Sequence, residues 1–203
     1  SYDVLQDQAS YVTSRRNSQI FASVPEAGPT SVKSVKWNIA DPNGFIDLST
    51  LCFSFTVQEK GGAAALQPLT SIPHNYFSRM IVRCSSALVE DVQLLGRTEE
   101  MFSRFLSKEK KANLATMGNG MVGDDPQIAR PIPLNGTKSV VWRPLTSGLL
   151  NSGKWLPAGL LGAGGLVFEL EVAAAADAVR AHANDSTNYV LKDLICHVDS
   201  CTL

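Results

Sequence analysis

Large apolar residues recur in this chain with a period of two. Leu51, Phe53, Phe55 and Val57 alternate with Cys52, Ser54, Thr56 and Gln58, so an extended segment here carries four large side chains on one face and small, mostly polar ones on the other. The same period sets Val35, Trp37 and Ile39 against Lys36 and Asn38, and Leu166, Phe168, Leu170 and Val172 against Glu169 and Glu171. Further strands are predicted at Arg79 to Ser85, Leu88 to Val92, Ser139 to Leu145 and Tyr189 to Val198. Turns fall between them at Asp41-Pro42-Asn43-Gly44, Gly61-Gly62 and Ser152-Gly153, where proline presets a bend and glycine or asparagine accepts positive φ. Strands this numerous and this short point to an all-β sandwich or barrel.

One segment departs from the pattern. Thr98-Glu99-Glu100 offers an N-cap and two first-turn carboxylates, Lys108, Lys110 and Lys111 suit the far end of a helix dipole, and Met101, Phe102, Phe105 and Leu106 share a face. The expectation is one short amphipathic helix, Thr98 to Lys111, docked on the sandwich through Met101, Phe105 and Leu106. Residues 1–30, with Arg15, Arg16, Pro25, Gly28 and Pro29, show no strong period and are expected to form an extended arm ordered mainly by a neighbouring subunit. The low-complexity pieces are short, no internal repeat occurs, and no linker separates two units, so residues 31–203 read as one domain.

Composition narrows the function. A content of 44% hydrophobic and 18% charged residues in 203 describes a chain able to bury a sizeable core, which excludes disorder as its main state. The formal net charge of -1 supplies no field for gathering phosphates, so a basic nucleic-acid packager is excluded and no specific nucleic-acid binding is expected. The most apolar stretch, Trp155 to Ala176, is broken by Pro157, four glycines at 159, 162, 164 and 165, and Glu169 and Glu171, so no membrane span is expected. Cys52, Cys84, Cys196 and Cys201 lack the spacing of a zinc site and sit on predicted strands, which suits packing thiols in a reducing compartment.

Candidate chemistry is sparse. Gly118-Asn119-Gly120-Met121-Val122-Gly123 matches a dinucleotide glycine pattern, but it follows a helix rather than a strand, and Asp124-Asp125 places negative charge where a phosphate needs donors. His74, His182 and His197 have no metal-ligand spacing, and no nucleophile elbow or catalytic-thiol signature occurs. The pairs Glu90-Asp91, Glu99-Glu100 and Asp124-Asp125 read as solvated or dipole-capping charges. Arg79 and Arg83 share a strand face and suit solubility or a salt bridge between subunits. Trp37, Trp142 and Trp155, the only tryptophans for sugar stacking, lie in apolar settings that favour packing. No catalytic, cofactor-binding or metal-binding residue is assigned.

The order of segments resembles a known family. Gly44-Phe45-Ile46-Asp47-Leu48-Ser49 entering an alternating strand, Asn75-Tyr76-Phe77-Ser78-Arg79, Leu88-Val89-Glu90-Asp91-Val92, Leu145-Thr146-Ser147-Gly148-Leu149-Leu150 with Trp155-Leu156-Pro157, and Gly165-Leu166-Val167-Phe168-Glu169-Leu170 are similar to the strand succession in the first half of major capsid proteins of the double jelly-roll viral lineage. The resemblance covers roughly Ile39 to Leu203. It implies an antiparallel eight-stranded jelly roll, and a non-enzymatic shell subunit without cofactor that assembles with itself into trimeric, pseudo-hexameric capsomers. These would meet neighbouring capsomers and penton or minor capsid proteins in a virion assembled in host cytoplasm or nucleus. Because such proteins carry two jelly rolls, a second is expected beyond Leu203, the alternative being a single jelly-roll penton or minor capsid protein. In that setting the long connections Lys110 to Pro133 and Ala176 to Asn188 would make tower or intersubunit contacts. A lectin-like binding sandwich and a cupin-type metalloenzyme are the competing expectations.

Overall fold

The computed structural model describes residues 14–42, 44–61, 64–114, 130–162, 164–180 and 185–202. In chain order its elements are β1 (Ser14–Phe21), β2 (Glu26–Ala27), β3 (Ser34–Ile39), β4 (Phe45–Glu59), β5 (Phe77–Cys84), β6 (Ala87–Gln93), α1 (Leu95–Arg104), α2 (Lys108–Leu114), β7 (Thr137–Trp142), β8 (Trp155–Pro157), β9 (Leu166–Val172), α3 (Ala175–Ala178) and β10 (Tyr189–Thr202). Short 3-10 turns occupy Pro73–Tyr76 and Ala158–Leu161.

The pairing follows one long antiparallel hairpin rolled into two layers. From the outside inward its arms pair β1 with β10, β3 with β9, β4 with β7 and β5 with β6, and the bend lies at Ser85-Ser86. Rolling adds β10 against β4 and β9 against β5, which closes two sheets of order β1-β10-β4-β7 and β3-β9-β5-β6. Two short additions, β2 on β10 and β8 on β4, widen the first sheet. This double-sheet antiparallel arrangement is a jelly roll, as the segment order implied.

The predicted inward faces are the core. Leu51, Phe53, Phe55, Val57, Trp37, Phe168 and Leu170 are buried between the sheets. Their rings interlock across the layers, with Trp37 on Phe53 at 4.8 Å, Phe55 edge-on to Phe77 at 5.2 Å and Phe77 stacked on Trp142 at 5.4 Å. Alternation in β4 changes phase between Leu48 and Leu51, both buried, at an irregularity where β10 advances only from His197 to Asp199 while β4 moves from Cys52 back to Asp47. Asp199 N–H donates to Thr50 Oγ1 across the distortion.

The amino-terminal segment expected as an extended arm is extended over Ser14 to Phe21 and reaches the sandwich, pairing residue for residue with Thr202 to Ile195 of its own chain. Its mostly exposed side chains gave no alternation to see, and its order comes from ladder hydrogen bonds and from Arg15, which pairs with Asp47 at 3.1 Å and Asp199 at 2.9 Å. Residues 1–13 lie outside the described residues. The predicted helix from Thr98 to Lys111 is two helices, and Thr98 lies inside α1 rather than at its N-cap.

Candidate interaction surface

Helix α1 faces the opposite way from what its apolar pattern suggests. Its inward face is Leu95, Gly96, Glu99 and Ser103, whereas Met101, Phe102 and Phe105, with Leu94 just before the first turn, are exposed. Gly96 permits the close approach, since a Cβ there would meet Asn75 Cα at 3.2 Å and Phe77 O at 3.3 Å. Glu99 fixes the rotation. Its carboxylate is fully buried and accepts from the N–H of Leu145 at 2.8 Å, the N–H of Thr146 at 2.7 Å and the hydroxyl of Thr146 at 2.6 Å. Glu90, from β6, completes the same turn by accepting from Leu149 N–H at 2.6 Å and Ser147 Oγ at 2.8 Å. These two glutamates therefore anchor the Leu145 to Leu150 turn, a role that reading them as solvated or dipole-capping charges missed. The signal available in sequence was the turn itself, whose backbone donors need acceptors from elsewhere.

Glu100 is directed along the flank of the helix toward the Pro73–Tyr76 turn. It meets His74 Nε2 at 3.1 Å and Arg104 at 3.2 Å, and the His74 hydrogen bond, aided by the nearby positive charges and opposed by burial, holds its carboxyl below the ordinary value. Beside it runs a groove of about 530 Å3. Leu69, Phe77, Leu94, Ala173 and Ala176 supply its apolar wall, and Arg97 reaches Asp177 across its rim at 3.3 Å.

The chain matches no family model and no curated protein. Solved structures do match. It is similar to a chain of the PBCV-1 virus capsid, with a TM-score of 0.53 and 13% identity over 94% of this chain and 43% of that one. It is similar also to a chain in the cryo-EM structure of the Sputnik virophage, with a TM-score of 0.53 and 8% identity over 95% of this chain and 48% of that one. The likeness is one of fold, and the fold is a jelly roll. The chain spans a little under half the length of either neighbour.

Within this jelly roll, α1 lies at the end where β4, β6 and β9 finish and β5, β7 and β10 begin. Leu69, Leu94, Met101, Phe102, Phe105 and Leu134 all expose apolar side chains there. The other candidates from sequence are scattered. His74 is buried against Glu100, and His197 shares a 2.7 Å hydrogen bond with Ser54 Oγ on the outer side of the β1-β10-β4-β7 sheet. His182, the glycine pattern at 118–123 and Asp124-Asp125 lie outside the described residues. Among the described residues no three His, Cys, Asp or Glu side chains gather as metal ligands. Arg79 is engaged within its own chain, in a two-point bond to Asp91 at 2.8 and 2.7 Å. Trp37 and Trp142 are core residues, and Trp155 is half-buried. Cys196 and Cys201 are both buried on β10, and burial pushes both thiols up. Five residues of strand separate them by about 16 Å, well beyond the ~7 Å Cα limit of a disulfide.

Proposed function

We propose that this chain is a structural subunit of an icosahedral viral capsid, built as one jelly roll of a capsomer. The observation that carries the reading is the coincidence of a rolled eight-strand hairpin with a viral capsid chain over 94% of its length. The ordered segments at Phe45 to Leu48, Asn75 to Arg79 and Leu145 to Leu150, which resemble the double jelly-roll lineage, support the same reading, because they now have defined places as a strand entry, a strand start and a glutamate-anchored turn. In this role the subunit forms trimers of pseudo-hexameric outline, meets neighbouring capsomers and penton or minor capsid proteins, and contributes no catalysis. Assembly takes place in host cytoplasm or nucleus, where its thiols stay reduced. A net charge of -1 suits a shell that leaves genome neutralisation to other components.

Light scattering on a sizing column tests the reading. The expected particle has three times the 21.8 kDa of the chain, with larger shells in electron micrographs at high concentration. A monodisperse monomer across the accessible concentration range counts against it. The lectin expectation finds no support in the tryptophans, because two of the three are enclosed in the core.

A further inference from the structure

Resting on the capsid reading, we infer that the outward face of α1, formed by Leu94, Met101, Phe102 and Phe105, is the surface on which a second copy of this chain docks. Met101 follows Leu94 by seven residues and Phe105 follows Met101 by four, so the three stand in one row along the helix with Phe102 beside it. Their exposures of 62, 54, 48 and 81%, in sequence order, leave on the order of 500 Å2 of apolar surface if a large side chain offers about 150–250 Å2. A stable interface takes roughly 800 Å2 from each partner, of which about 65% is apolar in homo-oligomers. The row therefore supplies about the apolar share of one side of such an interface.

Two further observations favour a functional surface and an identical partner. Leu94 holds a left-handed backbone conformation, φ 53 and ψ 40, that is unfavourable for a leucine, while its side chain lies largely in solvent. Its carbonyl opens α1 by accepting from the N–H groups of Arg97 and Thr98, so the backbone serves the helix start while most of the side chain is left to solvent and open to a partner. The two arginines of α1 are already paired inside the subunit, Arg97 with Asp177 and Arg104 with Glu100. A partner needs no opposite field to approach, and a copy carrying net charge -1 meets almost no repulsion. Phe, Met and Arg are also the residue types enriched in protein interfaces.

Sedimentation velocity of the 203-residue chain and of Met101→Asp and Phe105→Asp variants tests the inference, with Leu160→Asp, an exposed leucine at the opposite end, as control. Wild type and Leu160→Asp are expected to associate alike, and either stripe variant at least about tenfold more weakly, with an unchanged thermal midpoint. Association of the stripe variants as tight as wild type overturns the inference and leaves the capsid reading standing. A wild type that stays monomeric overturns both. Binding of the wild-type chain to phosphatidylcholine vesicles, lost in the variants while self-association persists, assigns the stripe to a lipid surface and overturns the inference.

Discussion

Glu99 shows how a single carboxylate sets the orientation of a helix. Fully buried, it takes its partners from backbone and hydroxyl donors of one turn. Glu99→Gln keeps the shape but turns an NH2 group toward those donors, so urea denaturation should show a loss of about 1.5–3 kcal/mol. Phe53, ringed by Trp37, Trp142 and Phe168, should cost about 3–5 kcal/mol when replaced by alanine, read by the same unfolding curve. For Glu100 the expectation is a pH dependence. Its folded carboxyl titrates below its ordinary value of 4.5, so in acid the unfolded chain binds more protons than the folded one. The stability it contributes is complete above that ordinary value and is lost as pH falls through the depressed folded value. Stability against pH for Glu100→Gln should accordingly be flatter below pH 4.5 than for wild type.

Among the elements, the strands were legible because burial on one face of a pleated segment forces alternation, as in Leu51 to Val57 and Leu166 to Val172. Strand β1 was illegible for the converse reason. Lying at a sheet edge with most side chains in solvent, it needs only backbone pairing and a few polar contacts, and Ser-Arg-Arg-Asn-Ser-Gln carries no period. Removing residues 1–21 strips the ladder from one side of β10 along its carboxyl-terminal half, so the truncated chain should melt lower and aggregate through the bared edge, as scanning calorimetry with light scattering would show. Helix α1 was half legible. An apolar stripe says that one face avoids water, but not whether its own core or another molecule covers it, and hydrogen bonding by Glu99 decided the matter here. That the stripe faces outward was hidden for that reason.

On the scale of the whole molecule, the two layers leave all four thiols free, with Cys196 and Cys201 enclosed and Cys52 and Cys84 half-buried. Thiol titration should find all four reactive once the chain is unfolded without reductant, and the pair on β10 markedly slow in the native state. The nested hairpin has a further consequence, in time rather than in space. Arg15 and Asp199 are 184 residues apart in sequence yet bonded, and β10 is the strand that both β1 and β4 require. At about 5–20 residues per second, a ribosome takes roughly 10–40 s to synthesise the stretch between them. Until β10 emerges, β1 has no neighbour and the inner side of β4 stands open. The closing of this sheet therefore waits for β10, and the nascent jelly roll depends on being shielded until that strand arrives.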